Sequence, residues 1–265
     1  MWIDTHCHLD AGEFGIESAV IAARALQQGV SWIVIPAIAP ENFEAVRQLA
    51  RSQSNCTYAL GIHPLYVPQT DPSALEKLRK AIPSALEDPR FVAIGEIGLD
   101  FFIPELCLPT MREKQLQFYT EQLKIARDFD LPVLLHVRRS QDIILKHLRR
   151  LKPAGGIAHA FNGSAQQATA FVDLGFKLGL GGAMTFPRAL QIRRLALHMP
   201  LASLVLETDA PDISPCWIHP RRNSPEYLPG IGANLAEIRG MTLDAVAQAT
   251  SANACDALPR LARLL

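Results

Sequence analysis

The chain has 265 residues, 49% of them hydrophobic and 20% charged, enough to bury one large core. Lys plus Arg and Asp plus Glu balance at 26 each, which excludes a global basic field for holding nucleic acid, so any phosphate recognition must be local. No run is long and apolar enough to span a membrane, and the five scattered cysteines lack a CxxC spacing, so we expect reduced thiols in a cytoplasmic protein. A monomer is the expected state.

The first predicted strand, 1–7, is an apolar run that leads into His6-Cys7-His8. Residues two apart on a strand share a face, so His6 and His8 project together and Cys7 points the other way as a small buried hydrophobe. Strand 2 is predicted at 30–37, after Gly29, and strand 3 at 57–63, ending in His63. A helix follows at about 72–86, capped by Asp71 or Ser73. Strand 4, 91–98, carries Glu96. The clearest helix is 110–129, where Leu116, Tyr119, Leu123 and Ala126 recur at helical spacing. Strand 5, 132–137, contains His136, and strand 6, 156–160, contains His159. Ser164 caps a helix at 165–174 that ends at Gly175, before strand 7 at 176–181. Strand 8, 203–209, ends in Asp209, and the proline-rich segment 210–232 reads as a long irregular loop. Further helices are expected at 41–52, 140–151, 188–198 and 242–257.

Eight short apolar strands alternating with helices predict a parallel (β/α)8 barrel, a TIM barrel, formed by one domain over 1–265. The competing open doubly wound sheet would want a Gly-x-Gly-x-x-Gly after the first strand, and there is none. Barrel active sites lie at the C-terminal ends of the strands. His6, His8, His63, Glu96, His136, His159 and Asp209 should therefore converge on one mouth, where isolated polar groups would otherwise be costly to bury. Four of these histidines, His6, His8, His136 and His159, with the two carboxylates already exceed the needs of one ion, so two divalent ions sharing a carboxylate is the economical arrangement. Imidazole and carboxylate without thiolate suit Zn or Mn, and a carboxylate-rich half suits Mg. Asp209 is placed to accept a proton from water, and Glu207 and Asp4, two residues before ligands, are expected to orient them.

Other residues receive plainer readings. His147 should be a solvated residue on its helix, among Lys146, Arg149 and Arg150; His198 lies near a helix end, and His219 in an exposed loop. Arg138, Arg139, Arg188, Arg221 and Arg222 fall in loops on the predicted rim and could bind phosphate. Phe101, Phe102, Phe161, Phe186 and Trp217 share those loops, where some could stack on bases and others roof the barrel.

The ordered set Asp4-Thr5-His6-Cys7-His8, Gly61-Ile62-His63-Pro64, Gly95-Glu96-Ile97-Gly98-Leu99-Asp100, Leu131-Pro132-Val133-Leu134-Leu135-His136, His159-Ala160-Phe161-x-Gly163 and Glu207-Thr208-Asp209-Ala210-Pro211 resembles the TatD family of metal-dependent deoxyribonucleases, and Arg222-Asn223-x-Pro225 resembles its last motif. The resemblance implies a barrel of the amidohydrolase type. It implies one metal held by His6, His8, Glu96 and Asp209 and a second held by Glu96, His136 and His159, with Glu96 bridging. It also implies 3′→5′ exonuclease action on DNA or another phosphodiester. His63 is expected as a substrate contact, and Arg222, in the loop after strand 8 next to Asn223, is expected on a substrate phosphate. A structural pairing of Arg222 with Glu226 is the competing reading. An amide, ester or lactone hydrolase on the same barrel is the alternative function. Many such enzymes bridge their metals with a strand 4 lysine, whereas strand 4 here offers Glu96. A metal-binding scaffold without activity is the third reading, and the complete ligand set speaks against it.

Overall fold

A computed structural model describes residues 1–265. Its single sheet has eight parallel strands in sequence order: β1 (Trp2–Asp4), β2 (Val30–Pro36), β3 (Cys56–Leu60), β4 (Phe91–Asp100), β5 (Val133–Arg138), β6 (Gly156–Ala158), β7 (Phe176–Leu180) and β8 (Leu204–Leu206). The intervening helices are α1 (Ser18–Gln27), α2 (Phe43–Ser52), α3 (Ser73–Leu86), α4 (Pro109–Asp128), α5 (Gln141–Leu151), α6 (Ala165–Asp173) and α7 (Leu190–His198), followed by α8 (Leu228–Arg239), α9 (Leu243–Ala257) and α10 (Pro259–Ala262). The nearly closed TIM-barrel arrangement agrees with the sequence reading. The seam between the first and last strands is drawn together by segments beyond them: Thr5 donates to the Leu206 carbonyl at 3.1 Å, Asp209 to that of His6 at 2.8 Å, and His8 to that of Ala210 at 2.8 Å.

Gly29 and Gly175, each just before a strand, take left-handed φ values of 83° and 84°, which favour glycine after a helix. Ser164 and Gln167 form the reciprocal capping box of α6. Asp71 accepts from the backbone of Ser73 at 2.8 Å, so it, and not Ser73, caps the start of α3. Inside the barrel, Ile3, Val34, Ala59, Leu134, Ile157 and Val205 form an apolar layer continued by Leu258 and Leu261 at the C-terminal helices. Arg260 of α10 donates to the carbonyls of Leu86, Asp88 and Phe91, placing this plug under the start of β4. The end of the barrel opposite the predicted mouth is thereby sealed.

Two expectations are corrected. The segment 210–232 is not irregular throughout: it ends in the first turn of α8, which starts at Leu228 and accommodates Pro229 because the first turn needs no backbone donor there. His147 is not solvated but buried at 8% exposure. It is three residues from Ile144 and four from Leu151 on the buried stripe of α5, edge-on to Tyr119.

Candidate metal centre

Glu96 owes its position to an irregularity in β4. Ile94 pairs with Val133 and Ile97 with Leu135, so β4 holds one residue more than β5 across this step. Such a bulge turns a side chain that regular alternation would aim elsewhere. Close approach of neighbouring backbone makes it possible: a Cβ on Gly61 would lie 2.6 Å from the Gly95 carbonyl carbon, and one on Gly95 would lie 2.6 Å from Leu134 Cβ.

The carboxylate of Glu96 then divides its two oxygens between two groups of donors. Oε2 lies 3.0 Å from His6 Nε2 and 3.3 Å from His8 Nε2, and both nitrogens are 3.7–3.8 Å from Asp209 Oδ1. Oε1 lies 2.9 Å from His136 Nδ1, 2.9 Å from His159 Nε2 and 3.2 Å from His63 Nε2. The rings of His6 and His159 stack at 3.8 Å between centroids. All seven residues predicted to converge from six strand ends do so. His6 and Glu96 are fully buried, while His8, His136 and Asp209 retain partial exposure that opens the cluster toward the mouth.

Burial alone would raise the Glu96 carboxyl, but the imidazoles of His63, His159 and His6 outweigh it and hold this group well below the carboxylate range. Burial, reinforced by His159, pushes His6 well below its usual value, leaving the neutral imidazole that a metal requires. Burial lifts Asp209 to about 6, against the opposing pull of His159 and His8.

Hydrogen bonds decide which nitrogens are free. His136 Nε2 faces Asp100 Oδ2 at 3.0 Å, so its proton belongs there and Nδ1 is left as a lone pair toward Glu96. His63 Nδ1 accepts from the Leu65 backbone at 3.1 Å, which places the proton of the neutral ring on Nε2. His63 is thus a donor into the site and not a ligand, although its distance alone would admit it to a metal-binding group.

The donor set fits divalent cations. The three compact groups are His6, His8 and Asp209; His6, Glu96 and His159; and His63, Glu96 and His136. No Lys or Arg pairs with Glu96, Glu207 or Asp209, and His6 Nδ1, His159 Nδ1 and Glu207 Oε2 are buried without a hydrogen-bond partner. Buried carboxylates with no Lys or Arg beside them must draw positive charge from the surrounding imidazoles or from bound cations.

The flanking residues divide. Glu207 accepts from the Ala160 backbone and stands 3.7 Å from His159 Nδ1, and the absent side chain of Gly179 gives it room. Asp4 accepts from the His6 backbone at 3.3 Å and from Thr208 at 2.9 Å (backbone) and 2.6 Å (hydroxyl), and has no hydrogen bond with the His6 ring; burial raises its carboxyl to about 8. Asp100 was missed as a site residue; its signal was a carboxylate ending an otherwise apolar run four residues after Glu96.

Arg222 stands apart from the cluster. Its guanidinium donates to the Glu13 carbonyl, lies 3.0 Å from the Glu17 carboxylate, and stacks over Phe14. Glu226 pairs instead with Arg24 at 2.9 Å, which rules out the competing Arg222–Glu226 pairing. Arg222 lines a cleft of about 620 Å³ above β7 and β8 with Phe186, Asp212, His219 and Arg221. His198 and His219 are exposed, and Cys7 is fully buried, as expected.

The fold and the cluster have counterparts in known proteins. The chain is 42% identical over 249 residues, 94% of each chain, to the metal-dependent hydrolase YjjV of Escherichia coli. The crystal structure of that TatD homologue superposes with a TM-score of 0.90 at 41% identity, covering 97% of this chain and 98% of the other. The Salmonella typhimurium protein named 3′-5′ ssDNA/RNA exonuclease TatD is 33% identical over 95% of this chain and 96% of its own. A TatD family hydrolase from Entamoeba histolytica, at 20% identity and a TM-score of 0.85, shares the fold. The family model described as TatD related DNase matches residues 3–259, the span that carries every residue of the cluster, and the chain belongs to this family of metal-dependent hydrolases.

Proposed function

We propose that this hydrolase cleaves phosphodiester bonds at the ends of DNA, in the manner of a 3′→5′ exodeoxyribonuclease, with two divalent ions in the mouth of the barrel. The observation that carries the reading is the division of Glu96, whose Oε1 and Oε2 face separate sets of imidazoles. His6, His8 and Asp209 would hold one ion, His136 and His159 the other, and Glu96 would bridge. Zn, Mn and Mg are the candidates. Bound divalent ions lower the pKa of an adjacent water to about 7 and neutralise charge on a phosphodiester.

The chain's own groups supply the rest. Asp209, whose carboxyl is already raised, accepts the proton of the attacking water. His63 presents its Nε2–H to a phosphate oxygen and takes no ion. Asp100 fixes the His136 ring so that Nδ1 faces inward. Arg222 reaches a phosphate only by exchanging its contact with Glu17, and a bidentate phosphate is the stronger partner for a planar guanidinium. The exonuclease name carried by the Salmonella relative supports nucleic acid as the substrate class.

The test is a screen of protein reconstituted with each metal against single-stranded DNA, RNA, and simple ester and lactone substrates. Release of mononucleotides from DNA 3′ ends is expected. Turnover confined to esters or lactones would replace this reading with the small-molecule alternative. Metal analysis should approach two ions per chain, and Glu96→Ala should lower both occupancies. Loss of a single ion would remove Glu96 from the bridge.

A further inference from the structure

We propose that Phe102, Arg138 and Arg139 form a shelf on the barrel mouth that binds the nucleotide adjoining the scissile phosphate, recognising single-stranded nucleic acid by base stacking and phosphate contact without regard to sequence. The inference rests on the nuclease reading above and extends it to a set of residues remote from the metal ligands in role.

Three observations meet at this place. Phe102 is 44% exposed, in the loop that follows the buried strand β4. The guanidinium carbons of Arg138 and Arg139 lie 3.8 and 4.6 Å from its ring centroid. Both arginines are exposed, and Arg139 pairs with no carboxylate. The shelf is also tied to the metal cluster. Asp100 Oδ1 accepts from the backbones of Phe102 at 2.8 Å and Ile103 at 3.2 Å, while its Oδ2 holds His136 at 3.0 Å and lies 3.7 Å from Arg138. One carboxylate therefore sets the ring of a ligand and the turn that presents Phe102. Arg139 adopts φ 54°, a left-handed conformation uncommon for a residue that has a Cβ.

The chemistry selects the occupant. A half-exposed aromatic ring with two guanidinium groups packed over it, in a protein with no net charge, combines the stacking planes and local positive charge that single strands require. Double-stranded DNA offers no exposed base face, and a small neutral ester offers neither group.

Binding can be read without turnover, by fluorescence anisotropy of labelled oligo-dT of two to eight nucleotides on metal-stripped protein. Wild-type affinity should rise with the first nucleotides added beyond the dinucleotide. In Phe102→Ala that increment should fall by about tenfold to a hundredfold, from a stacking contribution of about 1–3 kcal/mol at 1.4 kcal/mol per decade. Phe102→Leu, which retains apolar bulk, should recover little of it. Arg139→Gln should reduce the slope of log affinity against log salt by about 0.7, the value for one phosphate on a single strand. An unchanged increment in Phe102→Ala overturns the shelf while the nuclease reading stands. A wild type that binds no oligonucleotide yet cleaves a small ester overturns both.

Discussion

At the scale of single residues, Asp209 is the most exposed to test. Asn in its place keeps a carbonyl oxygen and the side-chain shape but removes the charge that takes up a proton. Asp209→Asn should lower kcat on the order of 10²–10⁴, the usual loss for a general base. Metal-stripped protein should keep its melting temperature, because a buried carboxylate without a cation is no source of stability. Near-normal turnover with both ions retained would remove Asp209 from proton transfer. The ligands themselves were legible because each is a polar group closing an apolar run, a placement that burial penalises unless chemistry compensates it. Asp100 was not, since its role depends on which β5 residue lies beside it, and a one-residue bulge separates the two strands' numbering. His147 was misread for a different reason: its charged neighbours in sequence lie on other faces of α5, and its neighbours in space are Ile144, Leu151 and Tyr119.

At the scale of elements, alternation of apolar runs with amphipathic segments sufficed for the eight strands and most of the helices. It failed at α8, where Pro229, Gly230 and Gly232 are poor helix formers. Packing explains Gly232. A Cβ there would lie 2.3 Å from Trp2 Cη2 and 2.5 Å from Cζ3, and Trp2 is itself buried in β1. Glycine is the residue that lets α8 close on the first strand. Alanine gains about 1 kcal/mol of helix propensity but meets an aromatic ring with no room to retreat, and overpacking of this kind costs about 1–3 kcal/mol. Gly232→Ala should therefore lower the melting temperature by several degrees, at about 2–4 °C per kcal/mol for a chain of this size. Combining it with Trp2→Phe, a smaller ring, should restore part of the loss. A melting temperature raised by Gly232→Ala alone would mean that propensity outweighs the clash and that α8 adjusts freely.

At the scale of the whole molecule, the carboxylates gathered in the mouth make the folded barrel and its ions mutually dependent. Ligand at a hundredfold excess over its Kd stabilises the native state by about 2.7 kcal/mol per site. Protein stripped by a chelator should accordingly melt at least ~5 °C below protein saturated with Zn or Mn, and the difference should grow with metal concentration. A melting curve indifferent to metal would separate the cluster from ion binding altogether. The seam between the ends of the sheet bears on the order of events in the cell. Asp209 is held by a backbone hydrogen bond to His6, and Thr208 by the Asp4 carboxylate, across more than two hundred residues of chain. A ribosome making this protein exposes His6 and His8 about two hundred residues before Asp209, the carboxylate they meet in the folded cluster. A nascent chain halted before β8 would carry His6, His8, Glu96, His136 and His159 but lack Asp209 and the closed pocket in which an ion would be held.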